Sequence, residues 1–468
     1  MAEGSAGTES TPLRVAIIGA GPTGFYTAEH LFKQKDLVVE IDLFDRLPTP
    51  FGLVRGGVAP DHQKIKSVTK AYDRIAAHPR FRYFGYVEFG TDLTLEDVKK
   101  HYHQVVFTVG AQIDRSMGIP GEDLPRSHAA TEFVAWYNGH PDYREREFDL
   151  SQEAVAVVGV GNVAVDVCRI LCRSKEELEK TDVADYALEA LAASRVNTVY
   201  MLGRRGPAQA AFTNPEIKEL GEMEVADIWV PEEDARLDET SKAFLERNPD
   251  SSADRKVEIL QQYAAEKRSG KAKKLVLRFC VSPTELLAGE DGGVGAVRLV
   301  KNELYLDSRG GIRPRATDEV EEIPAGLVFR SVGYYGVALP GVPFREDWGV
   351  IPNEKGRVVE QATGEHLAGQ YCAGWIKRGP SGVIGTNKPD ALETVKCMLE
   401  DLDRGVHFDP ELPSVDAARR LVEERKPSFF SYDDWKKLDA LEIERAAGTE
   451  RPRLKFTSVE EMQAALSR

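Results

Sequence analysis

Two glycine-rich segments carry the clearest chemical signal in this sequence, GAGPTG at 19–24 and GVGNVA at 159–164. In the first segment Gly19 permits a tight turn, and Gly21 lets the backbone approach a pyrophosphate. Gly24 lets the following helix pack closely on the preceding strand, and the N-terminus of that helix offers N–H donors to phosphates. The second segment has the same order, with Gly161 at the approach position and alanine in place of the third glycine. Both segments therefore predict binding of a dinucleotide.

The residues that end the next strand differ between the two segments. About 20 residues after the first segment, the strand VVEIDLF ends in Asp45, whose carboxylate can accept hydrogen bonds from ribose hydroxyls. The strand TVYMLG (198–203), which we expect to pair with the strand before the second segment, ends in Arg204 and Arg205. Guanidinium groups suit the 2′-phosphate of NADP, which a carboxylate would repel. The sequence thus favours FAD at the first site and NADP(H) at the second, although a solvated arginine pair at a strand end is the plainer alternative.

The elements around these motifs predict an α/β protein with two Rossmann-like dinucleotide-binding domains. A short apolar strand precedes each glycine segment and a helical segment follows it, which is the strand–turn–helix context of this fold. The similar segments VVFTVGA (105–111) and LVFRSVGY (327–334) are placed to carry the chain from one domain to the other and back. We therefore expect the NADP domain to be inserted into the FAD domain. The expected boundaries are a disordered tail at 1–13, an FAD domain at 14–111 and 333–468, and an NADP domain at 112–332.

Composition excludes several classes of function for the 468-residue chain. A net charge of −15 argues against a general nucleic-acid binder. No apolar run reaches the roughly 18 residues that a membrane helix needs. The small, polar N-terminus resembles neither a secretory signal nor a presequence, so we expect a bacterial cytoplasmic protein. The five cysteines are scattered and form no CxxC pair, so neither a redox-active disulfide nor a metal or iron–sulfur site is predicted.

Longer blocks of sequence resemble one family closely. These are LPTPFGLVRGGVAPDH (47–62), GVGNVAVDVCRIL, GRRGPAQAAFTNPE, GWIKRGPSGVIGTNKPDA and the tail SYDDWKKLDALEIERAAGTERPR. They resemble, in the same order, blocks of adrenodoxin reductase and the mycobacterial-type ferredoxin–NADP⁺ reductases. The resemblance implies an enzyme that takes hydride from NADPH onto FAD and passes single electrons to a ferredoxin-type iron–sulfur protein. A flavin monooxygenase, a diaphorase-like reductase of another acceptor and a non-enzymatic nucleotide sensor are the alternatives.

The resemblance also implies particular contact residues. The FAD contacts would fall at Thr23, Asp45, Leu53, Val87, Trp375, Gly382, Val383 and Ile384. The NADP contacts would fall at Arg115, Gly161, Asn162, Val163, Ala164, Arg204, Arg205, Glu216 and Gly382. The family usually carries glutamate where this chain has Asp45, so the expected ribose hydrogen bond is less secure here. The resemblance places His62 near the flavin, with its role open between catalytic and structural.

A ferredoxin-type partner raises a question of charge, because such proteins are usually acidic and this chain is acidic as well. The partner would need a local basic patch, and the densest cluster of positive charge lies at 267–274, with Arg255 and Lys256 just upstream. The resembled family docks its partner on basic residues of the NADP domain, near the helix that holds Arg255 and Lys256. Lys218 is a further candidate. The alternative is a solvated basic loop that compensates nearby acids.

Overall fold

The structure is a computed structural model that describes residues 6–466. The strands, in chain order, are β1 (Leu13–Ile18), β2 (Val39–Asp45), β3 (Phe81–Gly85), β4 (Gln104–Phe107), β5 (Ile113–Asp114), β6 (Ser127–Ala129), β7 (Ala154–Val158), β8 (Thr198–Leu202), β9 (Ala226–Trp229), β10 (Lys273–Arg278), β11 (Val281–Ala288), β12 (Val294–Leu306), β13 (Ile312–Pro324), β14 (Leu327–Arg330), β15 (Tyr334–Tyr335), β16 (Asn353–Glu354), β17 (Arg357–Val359) and β18 (His366–Cys372).

The α-helices, in chain order, are α1 (Pro22–Phe32), α2 (Leu53–Gly56), α3 (Gln63–Lys66), α4 (Thr69–Ala76), α5 (Leu95–His101), α6 (Ala130–Tyr137), α7 (Asn162–Cys172), α8 (Lys175–Leu178), α9 (Asp185–Ala192), α10 (Asn214–Glu219), α11 (Glu232–Ala235), α12 (Glu239–Arg247), α13 (Ser251–Ala265), α14 (Trp375–Arg378), α15 (Asn387–Asp403), α16 (Val415–Arg425), α17 (Tyr432–Arg445) and α18 (Val459–Ala465). No helix in the described part of the chain is long and apolar enough to cross a membrane.

The first sheet has seven strands in the order β16-β17-β18-β4-β1-β2-β3. The five strands from β18 to β3 are parallel, and every residue of β1 is buried, because helices cover both faces of such a sheet. β18 lies beside β4 although the whole second sheet separates them along the chain. We call these strands, with α1–α5, α14 and α15, the first unit.

The second sheet has six parallel strands in the order β6-β14-β7-β8-β10-β9. β7 precedes the second glycine segment and pairs with β8, the strand that ends at the arginine pair, as the sequence predicted. A three-stranded antiparallel sheet of β11, β12 and β13 adjoins it. We call these strands, with α6–α13, the second unit. The α/β class with one dinucleotide fold inserted into another is confirmed.

The chain passes between the units twice, and the two passages lie side by side. β5 on the way out pairs antiparallel with β15 on the way back, where Tyr335 faces Ile113 and Tyr334 faces Asp114. The preceding strands are shorter than the sequence suggested, since β4 ends at Phe107 and β14 at Arg330. The passages therefore form a narrow two-stranded ribbon.

The C-terminal segment, which we define as residues 404–466, packs on both units. From the first unit, the Arg55 guanidinium donates to the buried carboxylate of Glu442 at 2.9 Å. From the second unit, the carbonyl oxygen of Asn138 accepts a hydrogen bond from Lys455 Nζ at 3.0 Å. This segment thus forms part of the interface between the units.

The expectation of a disordered tail at 1–13 is wrong where the structure describes it. Ala6 is buried in the core of the first unit, and the Gly7 N–H donates to the Thr11 carbonyl at 2.7 Å. The Val38 N–H donates to the Gly7 carbonyl at 2.9 Å, which fixes the turn beside the start of β2. The small polar residues of this segment form a hydrogen-bonded turn that packs against the sheet. Composition alone does not reveal such a turn. Residues 1–5 lie outside the described part.

Candidate functional site

The first glycine turn forms an open cradle at the carboxyl end of β1. Gly19 has φ +109°, and a Cβ there would lie 2.8 Å from the backbone of Thr108. A Cβ on Gly24 would lie 2.3 Å from the Gly19 carbonyl, so the helix could not pack this closely with a larger residue. Gly21 has no atom within 4 Å of its Cβ position, and no side chain caps the N-terminus of α1. The N–H groups of the first turn of α1, from Thr23 onward, fit a pyrophosphate, because the Gly19 N–H is bonded to the Phe44 carbonyl and Pro22 has no N–H.

Asp45 braces that cradle from the end of β2. Its Oδ2 accepts a hydrogen bond from the Ala20 N–H at 2.7 Å, and its Oδ1 accepts one from the Leu47 N–H at 2.9 Å. Burial raises the pKa of Asp45, while the two N–H donors act to lower it. Each carboxylate oxygen has a second lone pair, so the group can still accept from a ribose hydroxyl. The Asp45 side chain therefore stabilises the glycine turn through these two hydrogen bonds. Its contact with a ribose stays a prediction.

Two further segments flank the cradle. The Phe51 N–H donates to the Ala20 carbonyl at 2.8 Å, and the Gly52 Cβ position lies 3.1 Å from Gly21 Cα. Leu53 follows at the start of α2 and is 50% exposed, which offers an apolar surface beside the phosphate cradle. Val87 is only 2% exposed and its N–H donates to the Asp45 carbonyl at 2.9 Å, so little of it is left for a ligand.

The loop after β18 closes over the same turn. Gly374 has φ +77°, and a Cβ there would lie 2.4 Å from Thr23 Oγ1, so the loop touches α1 directly. The Trp375 ring lies parallel to the Tyr334 ring at 6.5 Å between centroids, and its Nε1 donates to the Ser381 carbonyl at 3.2 Å. The expected contact residues Gly382, Val383 and Ile384 continue this loop, and no side chain caps α15 where it begins. The structure thus brings the start of this loop against Thr23, with Trp375 and then residues 382–384 following along the chain.

The second glycine turn repeats the cradle at the end of β7. A Cβ on Gly159 would lie 2.2 Å from the Ser331 carbonyl, whereas Gly161 again faces open space. α7 starts at Asn162 without a side-chain cap, and Asn162 Oδ1 accepts from the Thr213 N–H at 2.9 Å. Ala164 is fully buried, so its side chain packs in the core and does not face a ligand. Val163 is partly buried against that core.

Arg204 and Arg205 follow β8, which lies beside β7 and its glycine turn. In the described part of the chain neither guanidinium has a carboxylate within 4.0 Å. Their backbone is fixed, since Asn302 Nδ2 donates to the Arg204 carbonyl at 2.9 Å and the Cys280 N–H to that of Arg205 at 3.1 Å. Burial lowers the pKa of Arg205, and the positive charges of Arg204 and Arg313 lower it further. Bound phosphate would relieve this repulsion.

Arg115 lies on the ribbon between the units. Its N–H donates to the Gly333 carbonyl at 2.9 Å, and its guanidinium carbon lies 4.1 Å above the Tyr335 ring. Among residues 6–466, no carboxylate lies within salt-bridge distance of it. A stacked cation without an anionic partner fits a phosphate between the two cradles.

The structure places His62 at the junction of the units. Its Nε2 lies 2.8 Å from Glu219 Oε2 and 3.8 Å from Glu216 Oε2, both on α10 of the second unit. Glu216 Oε2 is buried without a hydrogen-bond partner, and burial together with the Asp166 charge raises the Glu216 pKa. This oxygen has only ion-pair contacts, with His62 and with Arg169 at 3.6 Å, so it can still accept a hydrogen bond from a hydroxyl-bearing ligand. The three ligand atoms lie within 4.8 Å of one another, so the group could also hold a cation.

Sequence reasoning missed the side chains that surround His62. Glu219 lies one helical turn after Glu216, a spacing that could have indicated a shared face. Arg169 is buried on α7 and donates to Asp61, the residue before His62, at 2.8 and 3.0 Å. No motif marked either residue, because their partners are distant in sequence.

The expectation that Lys256 takes part in docking a partner is wrong. Lys256 is buried, with its Nζ bonded to the Ala210 carbonyl and 5.5 Å above the Phe212 ring, because it lies on the inner face of α13. Its neighbour Arg255 lies on the outer face, half exposed, and pairs with Glu258 at 2.8 Å. Lys218 is exposed as well.

The basic cluster at 267–274 is also partly occupied by contacts within the second unit. Lys271 Nζ and Lys273 Nζ each donate to backbone carbonyls at 2.7 Å. Arg268 and Lys274 lie 4.5 and 4.2 Å over the Trp229 ring. Only part of the cluster's charge therefore faces solvent freely.

Comparison with known proteins places these features in context. The family model for pyridine nucleotide-disulphide oxidoreductases matches residues 13–201. NADPH-ferredoxin reductase FprA of Mycobacterium leprae is 42% identical over 458 residues, covering 96% of this chain and 97% of that protein. The mitochondrial NADPH:adrenodoxin oxidoreductase of Salvelinus fontinalis is 40% identical over 468 residues, covering 98% and 92%. The structure of Mycobacterium tuberculosis FprA in complex with NADPH matches with a TM-score of 0.91 at 39% identity, over 97% of this chain and all of that one. The similarity therefore extends over both units and the C-terminal segment.

Proposed function

Since this chain belongs to the family of the NADPH-ferredoxin reductases and adrenodoxin reductases, we propose that its two dinucleotide folds serve one reaction, the transfer of electrons from NADPH through FAD to a ferredoxin-type iron–sulfur protein. When bound, FAD would supply the redox chemistry, since a flavin can exchange two electrons with a nicotinamide and single electrons with an iron–sulfur centre. The protein is an enzyme, a ferredoxin–NADP⁺ reductase. One observation carries this assignment: both glycine cradles are open, one braced by Asp45 and the other flanked by Arg204 and Arg205.

We propose that the first unit holds FAD. The N–H groups of Gly21 and of Thr23, the first residue of α1 with an N–H, would bind the pyrophosphate, and Asp45 the ribose. The loop at 374–384 touches Thr23, which supports a place for it along the same ligand, and Leu53 offers apolar surface. In domain terms we propose residues 14–111 and 333–468 for FAD, which accords with a sheet built from both ends of the chain.

We propose that residues 112–332 hold NADPH as the electron-donating substrate. Gly161 and the uncapped α7 would bind its pyrophosphate, and Arg204 with Arg205 its 2′-phosphate. Arg115 is available to a second phosphate, and the Glu216 oxygen, which accepts no hydrogen bond, is available to a hydroxyl. His62 is held by Glu219 across the junction of the units, which supports an orienting role for it more than a free acid–base role.

The test of this function is rapid mixing of the purified protein with NADPH while the flavin absorbance is followed. We expect loss of the flavin band with NADPH, a much weaker response to NADH, and recovery of the band when an oxidised ferredoxin is added. NADPH consumption with oxygen that leaves a hydroxylated product would indicate a monooxygenase. Turnover with ferricyanide or quinones but with no ferredoxin of a broad panel would indicate a diaphorase-like enzyme. A protein that binds FAD but is not reduced by NADPH would refute the proposal.

We further propose that the ferredoxin docks on the second unit near Lys218 and Arg255. Both side chains are exposed, and a local positive patch can attract an acidic partner despite a net charge of −15, because salt screens charges beyond about 10 Å. Lys256 takes no part, since it is buried. We also propose the bacterial cytoplasm as the place of this reaction, and the five unpaired cysteines accord with a reducing compartment.

A charge-reversal experiment tests the docking site. The double variant Lys218→Glu/Arg255→Glu should slow ferredoxin-linked turnover at low salt on the order of 3–10-fold, with the difference shrinking as salt rises. Ferricyanide reduction by NADPH needs no docking and should be unchanged. Arg419→Glu is a matched control, because Arg419 is also exposed and pairs with a nearby glutamate, but on the C-terminal segment. Equal slowing by the control, or loss of both activities together, would contradict the assignment.

A further inference from the structure

A short segment of the first unit, residues 59–66, carries side-chain contacts to the second unit at three points. We call it the bridging segment. Asp61 contacts α7, His62 contacts α10, and Lys66 contacts Asp182 between α8 and α9. The covalent passages between the units are confined to the narrow β5–β15 ribbon. Two units of one chain usually move relative to each other unless the contacts between them are extensive. The side-chain contacts of the bridging segment, which we call ties, therefore bear on how the two units are held relative to each other.

The first tie is a buried ion pair with two-point geometry. Arg169 has a side chain that is 0% exposed, and it donates through Nε and a terminal nitrogen to the two oxygens of Asp61 at 2.8 and 3.0 Å. Arg173 adds a hydrogen bond to the same carboxylate at 2.8 Å. Although burial acts to raise it, these guanidiniums hold the pKa of Asp61 far below its usual value. A planar, two-point contact of this kind fixes orientation as well as distance.

The second tie joins three parts of the chain. Lys66 Nζ donates to both oxygens of Asp182 at 2.7 and 2.9 Å, and both side chains are buried. Lys455 of the C-terminal segment lies 3.5 Å from the same carboxylate and also donates to the Asn138 carbonyl. Burial lowers the pKa of Lys66 and Lys455, whereas the two ammonium groups hold that of Asp182 at about 2. Removing the carboxylate would leave two buried cations facing each other.

We propose that the Asp61–Arg169 and Lys66–Asp182 pairs are positioning contacts that set the distance and angle between the two dinucleotide sites, and through them the rate of hydride transfer. One contact between two bodies leaves them free to rotate about that point, whereas two contacts five residues apart on one segment leave only rotation about the line that joins them. The β5–β15 ribbon and the His62–Glu219 contact oppose that remaining rotation. Hydride transfer needs the reacting atoms within about 3–3.5 Å, and an error near 1 Å can cost on the order of 100-fold in rate. The inference rests on the proposed function.

The test compares transfer rate with NADPH affinity in variants that keep side-chain size. Asp61→Asn should lower the limiting rate of NADPH-driven flavin reduction by about 10–100-fold while the half-saturating NADPH concentration changes less than about threefold. Lys66→Met should act in the same direction. Lys175→Met is the control, because Lys175 forms an exposed pair with Glu179 inside the second unit and should leave the rate unchanged.

A second measurement needs no nucleotide turnover. In the oxidised, FAD-loaded protein without NADPH, Asp61→Asn should speed amide hydrogen exchange in residues 59–66 and in α7, while β1 and β7 keep their protection. If Asp61→Asn loses FAD or fails to fold, Arg169→Lys becomes the variant that tests the proposal. It keeps the positive charge but loses the two-point contact with Asp61. It should lower the limiting rate of flavin reduction while the half-saturating NADPH concentration changes little.

Three results would overturn the inference: an unchanged limiting rate, a rise in half-saturation with no loss of rate, or unaltered exchange in both segments. Failure of NADPH to reduce the wild-type flavin would remove the proposed function but not this test. The exchange experiment would still show whether the pairs hold the units together.

Discussion

Replacing both Arg204 and Arg205 by alanine should convert the protein from an NADPH-selective into an unselective enzyme. Within the described residues the two guanidiniums have no carboxylate partner, so the substitution breaks no ion pair. Their carbonyl groups, which the Asn302 amide and the Cys280 N–H bind, remain in the variant and keep the backbone in place. The change therefore removes the positive charge that we propose binds the 2′-phosphate, and little else.

The expected magnitude follows from the surroundings of the two side chains. A hydrogen bond to a charged group contributes about 1.5–3 kcal/mol, and Arg204 is exposed, so it belongs at the low end. Arg205 is partly buried and repelled by Arg204 and Arg313, and a bound phosphate would relieve that repulsion. Together the pair should contribute about 3–5 kcal/mol of discrimination, which corresponds to roughly 150- to 5,000-fold in kcat/KM.

Steady-state kinetics with NADPH and NADH on wild type and variant provide the assay. KM for NADPH should rise steeply, kcat at saturation should change little, and kinetics with NADH should stay near the wild-type values. Arg313→Ala serves as a control for loss of nearby positive charge, because Arg313 pairs with Asp307 at 2.9 Å and is not assigned to the phosphate. Equal losses with both cofactors would refute the reasoning, since the arginines would then be structural.

Three further outcomes are expected. The purified protein should contain one FAD per chain and no iron, as absorbance and metal analysis will show; stoichiometric iron or FMN would contradict the site assignment. Gly374→Ala should lower flavin content through its contact with Thr23, whereas Gly379→Ala, with a similar φ and open space at its Cβ, should retain flavin. Burial, with the charges of His407 and Arg14, lowers the pKa of His103 to about 4, and its Nδ1 accepts the Arg14 N–H. Between about pH 6.5 and 4 the unfolded chain therefore binds one proton more at His103 than the folded chain does. The free energy of unfolding should fall as the pH is lowered through that window, by at most about 3 kcal/mol. In denaturant titrations at several pH values, His103→Asn should flatten this dependence.

The motifs predicted the two cradles because their information is local. A glycine that needs φ +109° next to Thr108, or a strand that ends in two arginines, is written in consecutive residues. The parallel sheets follow from short apolar strands that alternate with helices. The sequence therefore predicted the fold class and the two glycine turns, while the assignment of FAD to one turn and NADP(H) to the other stays a prediction.

The remaining contacts depend on which face of an element turns inward, and that is decided by partners far away in the chain. Lys256 and Arg255 are adjacent, yet one packs on Phe212 and the other faces solvent. Asp61 finds Arg169 on the other unit, more than a hundred positions later, which no local pattern could indicate. The turn at residues 6–12 was missed for the same reason, since its hydrogen-bond partner Val38 precedes the next strand.

The order of strands in the first sheet has a consequence for synthesis of the protein. β4 is complete early during translation, but its neighbour β18 and the C-terminal segment emerge only after the entire second unit. The second unit is continuous along the chain and can close its own sheet while translation proceeds, since domains tend to fold as units on the ribosome. Until β18 arrives, β4 presents an unpaired edge of the kind that promotes aggregation. A nascent chain stalled before β18 should therefore carry a protease-resistant second unit and a protease-sensitive, unfinished first one.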